Sequence, residues 1–212
     1  MLKKFGLLFL MLGVPAVLYL VYVSIAENSY QKLPVFGPKE AFFITAGQKV
    51  ADTAYHEVKV LEKSLERVNN RVRVVSLFVP GDNKNNRIRY RQLARVEDVF
   101  KDNPLIWTMH MHSDGDSTLY ASWTKTSPKR LTHYANSSLV DSLEKALWIY
   151  QPDWKAIYPE AQLHELTFLI DKKQRVRGIY KTVLRKETDR LMEDIRTLIV
   201  EYANTEPKRR RR

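Results

Sequence analysis

The sequence predicts an α/β domain built on one mixed sheet, set behind an apolar N-terminal segment. Three observations predict it. A strand–helix–strand pattern runs from Arg71 to Met111, two further strands flank a polar turn between Leu166 and Tyr180, and an amphipathic helix closes the chain. Strand, helix, strand is the pattern of a parallel pair, whereas two strands joined by a four-residue turn form an antiparallel one.

The apolar segment runs from Gly6 to Ala26 and is entered through Lys3 and Lys4. As a helix it would span roughly 30 Å, about the hydrocarbon thickness of a bilayer. Gly13 and Pro15 interrupt it, and membrane helices tolerate both. The paired lysines before it, against Glu27 after it, place the N-terminus in the cytoplasm and the rest of the chain outside. A cleaved signal peptide is the alternative, with Ser24 and Ala26 as its small-residue site, but the apolar core is longer than such peptides carry. With no cysteine in the chain, lipid attachment at a processed N-terminal cysteine is excluded. The expected division is a cytoplasmic start and anchor over 1–27, a juxtamembrane stalk over 28–49, a folded domain over 50–204 and a basic tail over 205–212.

In the stalk, LPVFGPKE (33–40) has little periodicity, and Leu33, Val35 and Phe36 are expected to lie against the domain. Val58–Leu61 is a candidate short strand. Arg71–Val79 (RVRVVSLFV) is rich in β-branched residues and stops at Pro80-Gly81, which suits a central strand. A polar loop, GDNKNNR (81–87), leads to a helix over 88–101. Its apolar positions are Leu93, Val96, Val99 and Phe100, and Arg89, Arg91, Arg95, Glu97 and Asp98 are read as its wet faces. Asn103-Pro104 ends it and Leu105–Met111 follows as a strand. Arg130–Ala135 reads as a strand and Val140–Tyr150 as a helix with Leu143, Leu147 and Tyr150 on one side. Leu166–Ile170 and Arg175–Tyr180 form the hairpin. The last helix spans 188–203, with Thr188 as N-cap and Leu191, Ile195, Leu198, Ile199 and Tyr202 as its stripe.

The net charge of +11 is unevenly placed. The tail supplies +4 and the first lysines +2, leaving +5 for everything between, so the domain is only mildly basic. Arg209, Arg210, Arg211 and Arg212 suit a solvated tail or anionic lipid head groups. Nucleic acid is not an expected partner for an exported domain. None of the seven glycines forms GxGxxG or GxxxxGK, which excludes a nucleotide-binding loop of either kind.

Strand, helix, strand, a mixed middle, a hairpin and a C-terminal helix is the order of a thioredoxin-like fold. LPVFGPKE, DTAYHEV (52–58), ARVEDVF (94–100) and FLIDKKQRVRGIY (168–180) together resemble the SCO/SenC family over roughly two-thirds of the chain. These are membrane-tethered thioredoxin-fold proteins that serve copper delivery and thiol chemistry in cytochrome c oxidase assembly. The resemblance implies a bacterial inner-membrane protein with its domain in the periplasm. It also implies two cysteines with three residues between them, about nine residues before an Arg-Val pair. Counting back from Arg95-Val96 puts those positions at Asp82 and Asn86, neither of which supplies a thiolate. The family's third ligand is a histidine eight residues before the aspartate that ends the strand. His164 precedes Asp171 by seven, and on a strand one residue turns a side chain to the other face. With Asp82, Asn86 and His164 as a degenerate site, the family's chemistry does not carry over, and neither a catalytic role nor a cofactor is expected.

Met109-His110-Met111-His112 is the other cluster with metal-like character, since thioether and imidazole suit copper. Strand alternation puts the two methionines on one face and the two histidines on the other, which splits the ligands. The bland reading has the methionines filling the core and His110 hydrogen-bonded at a strand end. His112, Ser113, Asp114 and Asp116 have the residue types of a hydrolase, but adjacency in sequence supplies no catalytic geometry. The Asp82–Asn86 stretch lacks the alternating acids of a calcium loop. Trp123, Trp148 and Trp154 are candidates for a partner surface or for the core. The leading expectation is a non-catalytic accessory or scaffold that binds a protein partner in respiratory oxidase or envelope assembly. The alternatives are a copper-handling protein using Met109, His110, Met111, His112 or His164, and an enzyme of altered chemistry centred on Asp82.

Overall fold

The computed structural model describes residues 13–22, 32–37, 42–45, 48–51, 55–58, 70–78, 84–112, 130–134 and 137–205. The chain forms two compact units, Met1–Lys32 and Leu33–Arg212. In the first, 13–22 is helical and leaves Val17, Leu18, Tyr19, Leu20 and Tyr22 more than half exposed. No helix among the described residues is long and apolar enough to cross a membrane. The rest of the predicted anchor, and the tail beyond Thr205, lie outside the described residues.

The second unit carries a five-stranded sheet, with strands β3 (Val72–Phe78), β4 (Ile106–His112), β5 (Arg130–Tyr134), β6 (Thr167–Ile170) and β7 (Val176–Tyr180) in the order β5-β4-β3-β6-β7. β4 runs parallel to β3 and β5 parallel to β4, while β6 is antiparallel to β3 and β7 to β6. The four strands β4-β3-β6-β7 have the thioredoxin-like order, and β5 extends the β4 edge. β3 lies at the centre because it is buried along its whole length, as a β-branched strand covered on both faces must be.

Alternation along β3 sorts the core into two layers. Val72, Val74 and Phe78 pack with α1 (Lys84–Phe100) and α4 (Arg185–Thr205) through Tyr90, Leu93, Val96, Phe100, Leu191, Ile195 and Leu198. Val75 and Leu77 pack with Met109 and Met111 against α2 (Ser137–Trp148), through Leu143 and Leu147, and against α3 (Gln151–Ile157), through Trp154. The helix stripes expected from periodicity are therefore mostly the buried ones, with Ile199 and Tyr202 half-buried against the core and Val99 50% exposed. The two methionines and two histidines of β4 occupy opposite faces, as alternation requires.

Several elements differ from expectation. Across the predicted boundary between stalk and domain at 49–50, β1 (Phe42–Thr45) and β2 (Gln48–Ala51) pair antiparallel as a separate two-stranded sheet. Val58 is fully buried and its N–H donates to the Gln174 carbonyl at 2.7 Å, and the rest of the predicted 58–61 strand lies outside the described residues. α1 begins at Lys84, so part of the predicted polar loop is its first turn. Thr188 is not the N-cap of α4. It lies inside the first turn, fully buried, and its hydroxyl donates to the carbonyls of Thr182 and Leu184. Leu184 takes the capping place because its carbonyl accepts from Glu187 and Thr188. α3 was not foreseen, although Pro152 at its start is a recognised helix-initiating position.

The Leu33–Gly37 segment is tied to the domain. Phe36 N–H donates to Val176 O at 2.9 Å, and Arg177 donates to the carbonyls of Leu33 and Pro34. Gly37 has φ of +67°, and a β-carbon there would lie 2.3 Å from the Tyr150 ring, so only glycine fits. The turn between β6 and β7 is held by buried Asp171, which accepts from the Arg175 backbone and from both Arg175 and Arg177; Arg177 also pairs with Glu201 at 2.7 Å. The DKKQRVRG part of the family-like string thus owes its pattern to a hydrogen-bonded turn and a buried ion network.

Candidate functional site

β3 ends at Phe78 and α1 starts at Lys84, so the first turn of α1 stands at the C-terminal end of the central strand. In open α/β sheets this is where ligand-binding residues gather. A cavity of about 300 Å³ opens there, lined by Lys84, Asn86, Arg89, His164, Glu165 and Lys181 among others. Two of the three predicted site positions, Asn86 and His164, therefore line one cavity. Asp82 lies outside the described residues.

His164 corrects the register argument. It sits in a single 3₁₀ turn, Leu163–Glu165, ahead of β6 rather than on the strand, so the alternation of strand side chains does not govern it. The turn is fixed by a reciprocal cap in which the Gln162 N–H donates to Glu165 Oε2 at 3.2 Å and the Gln162 side chain accepts from the Glu165 backbone. Burial lowers the His164 pKa below its ordinary value, so the imidazole is neutral at pH 7.

Arg89 organises the site, and it was expected on a wet face of the helix. It is 2% exposed. Its guanidinium donates to Leu77 O and Leu166 O, each at 3.0 Å, and to His164 O, and it lies over the Phe78 ring at 4.5 Å. These bonds pin the end of β3 to the 3₁₀ turn and the start of β6. All three acceptors are neutral carbonyls, Nε makes no hydrogen bond, and no carboxylate forms an ion pair with Arg89 among the described residues. Burial accordingly pulls its pKa down to about 10. The spacing held the clue: Arg89, Leu93, Val96 and Phe100 fall on one helical face, and Asn86, Tyr90, Leu93, Glu97 and Phe100 on its flank. Glu97, also read as wet, is buried for the same reason.

Behind this site Phe78, Tyr90, His110 and His112 form a ring stack, with the Phe78 and Tyr90 centroids 4.3 Å apart. Glu97 accepts from Thr108 at 2.7 Å and lies 3.1 Å from His110 Nε2, and the Tyr90 hydroxyl is bonded to His112 Nε2. Burial, the neighbouring His110 and the Arg89 charge lower the His112 pKa to about 3. His112 is therefore a neutral partner inside a core network. Ser113, Asp114 and Asp116 lie outside the described residues.

The donor set can be tested against Cu(I), the cargo the resemblance implies. Cu(I) prefers thiolate and thioether. The chain has no cysteine, Asn86 offers an amide, and Met109 and Met111 are enclosed in the opposite layer from His110 and His112. Among the described residues no three histidines, aspartates or glutamates are grouped to hold a metal. The described residues at this cavity are not the soft donor set that Cu(I) prefers. Trp154 is core at 1% exposed, Trp148 is exposed at 54%, and Trp123 lies outside the described residues.

Fold and site together define a thioredoxin-like domain whose strand-end site holds an amide and a buried arginine. No family model matches the sequence, and neither does any curated protein. Among solved structures the chain is similar to a SCO1/SenC family lipoprotein from Bacillus anthracis, at 14% identity over 81% of this chain and 96% of that one, with a TM-score of 0.47. It is also similar to yeast Sco1 with copper bound, at 10% identity over 69% and 87% with a TM-score of 0.41. A third likeness is to a DsbE-type thiol:disulfide interchange protein from Chlorobium tepidum, at 10% identity over 77% and 96% with a TM-score of 0.40.

Proposed function

We propose that this protein is a membrane-tethered, extracytoplasmic relative of the SCO/SenC proteins that acts by binding a protein partner, without thiol or copper chemistry, in the assembly of a respiratory oxidase or another envelope complex. One observation carries the non-catalytic part. The position corresponding to the second family cysteine is Asn86, which is 3% exposed on the first turn of α1 and lines the same cavity as Arg89 and His164. A thiol exchanger needs a sulfur nucleophile there, and the chain contains none. The assembly context is supported by the family-like strings, and the tether by the apolar Gly6–Ala26 segment behind its two lysines. Copper handling through Met109, His110, Met111 and His112 has weaker support, because those side chains are enclosed and divided between two layers.

The test has two arms. A photo-crosslinking residue at Lys84, which is exposed beside the cavity, should capture a defined envelope assembly protein or oxidase subunit in intact membranes. Deleting the gene should lower the amount of assembled oxidase, or of the captured protein's complex, and a plasmid copy of the unaltered, cysteine-free chain should restore it. No adduct together with unchanged complexes would overturn the reading.

A further inference from the structure

We propose that the corner between α2 and α3 is a docking surface for the lipid bilayer, with Trp148 and Ile149 seated among the head groups of the membrane that tethers the chain. The inference rests on the tether proposed above. Trp148 ends α2 and stands 54% exposed, Ile149 follows it at 48%, and Ile157 at the end of α3 is 43% exposed. Single exposed apolar residues are ordinary, as Leu184 and Val200 are here, but two large ones in succession at a helix end form a patch. The Trp148 ring meets that of Trp154 at a centroid distance of 6.0 Å with the planes near perpendicular, and the rest of its indole faces water. Trp154 beneath is closed off, with Lys155 Nζ 4.9 Å from its ring centre and bonded to the carbonyls of Pro159 and Ala161. An indole packed on one side and wet on the other is the side chain that settles at a membrane–water interface.

The path by which the chain reaches this corner selects the occupant. The Leu33–Gly37 segment leads directly to it: the Gly37 N–H donates to the Asp153 carboxylate at 3.0 Å, Gly37 lies against the Tyr150 ring, and Phe36 packs on the core beside it. Whatever their conformation, the residues between Ala26, where the apolar segment ends, and Leu33 span at most about 25 Å. The further steps to Gly37 add at most about 14 Å. The corner is thus held within about 40 Å of the bilayer. On so short a tether the contact is intramolecular, and a small apolar patch suffices. The charges set the kind of lipid. Asp141, Glu144 and Asp153 stand against Lys145 and Lys155, so no cationic excess draws the corner to anionic head groups, and zwitterionic lipid is enough.

Because the chain has no cysteine, one introduced cysteine carries one spin label. Full-length protein in phosphatidylcholine nanodiscs is labelled through Ile149→Cys or, for comparison, through Val99→Cys, which is 50% exposed on α1 in the opposite layer. Electron paramagnetic resonance then reads collisions with oxygen, which enters lipid, and with a water-soluble nickel chelate. The label at position 149 should meet the chelate at least about fivefold less often than the label at position 99, as for a side chain seated at the head-group boundary. Adding Trp148→Ser to Ile149→Cys should shift docking toward water by about tenfold or more, since half of an indole's area no longer enters the interface. Admixed phosphatidylglycerol should leave both results unchanged. Equal chelate access at the two positions, or no response to Trp148→Ser, would overturn the inference. So would protection that needs phosphatidylglycerol, which would assign the contact to the arginine tail. Carbonate extraction of cell membranes separates the two readings. Chain that resists carbonate while position 149 stays wet fails the docking and keeps the tether, whereas chain released by carbonate fails the tether and the docking with it.

Discussion

Replacing His112 with glutamine should remove a defined part of the protein's acid sensitivity. His112 is fully enclosed at the end of β4, beside the stacked Phe78 and Tyr90 rings and bonded to the Tyr90 hydroxyl, with His110 and Arg89 close by. Burial first, then those two neighbours, hold its pKa at about 3 against an ordinary 6.5. Between these values the unfolded chain carries a proton on this residue that the native protein does not. Stability therefore rises with pH through the window: the contribution is complete above pH 6.5 and is lost as pH falls toward 3. Each pH unit inside the window is worth about 1.4 kcal/mol, so acidification to about pH 5 costs about 2 kcal/mol from this group alone. Urea unfolding of the full-length protein at about pH 7.5 and pH 5 measures the loss, and this range keeps carboxylate titration small. Wild type should lose about 2 kcal/mol more than His112→Gln. Equal losses in the two proteins would refute the buried, neutral histidine and with it the packing of α1 on the end of β4.

Three further outcomes follow from the packing and the site. Ile195→Ala should destabilise the domain by about 3 kcal/mol in the same unfolding assay, since Ile195 is fully buried between α4 and the sheet. A loss below about 1 kcal/mol would mean that the stripe of α4 is not core. Gly37→Ala should cost more than about 1 kcal/mol, because the left-handed backbone and the Tyr150 ring both reject a β-carbon; unchanged resistance to proteolysis near Leu33–Gly37 would contradict it. Asp82→Cys combined with Asn86→Cys should raise Cu(I) affinity by several orders of magnitude in competition with a chromophoric chelator, as two thiolates join His164. An affinity no different from wild type would remove these positions from the family's metal site.

Much of the fold was legible because burial and periodicity agree. β3 is rich in β-branched apolar residues and is buried along its whole length, and the stripes of α1 and α4 recur at helical spacing. The hairpin of β6 and β7 announced itself through a polar turn between two apolar runs. β1 and β2 were missed because four-residue strands give too few positions for alternation to register, and proline on either side of Gly37 argued for an irregular stalk. The site was half legible. Family spacing led to Asn86 and His164, but treating His164 as a strand residue gave it the wrong geometric rule. Arg89 was misjudged because charge was read before position: its place on the apolar face outweighs its side chain's preference for water once three carbonyls are available to receive it.

The electrostatics of the strand end do not depend on a thiol. A thiolate at the start of a helix is stabilised by the unbonded N–H groups and the dipole, and those belong to the backbone. Asn86 supplies no such nucleophile, and the backbone field at the start of α1 is present without it. Here the field is reinforced by Lys84 and by the buried charge of Arg89. Arg89 could have been dispensed with if it only joined β3 to the 3₁₀ turn, since a neutral donor can bond a carbonyl without the desolvation cost of a cation. Its retention as a charged group is a local violation of what stability alone would select, and such violations concentrate where a protein meets its ligand. The strand end thus combines a neutral amide at Asn86 with a buried charge at Arg89 that stability alone does not call for.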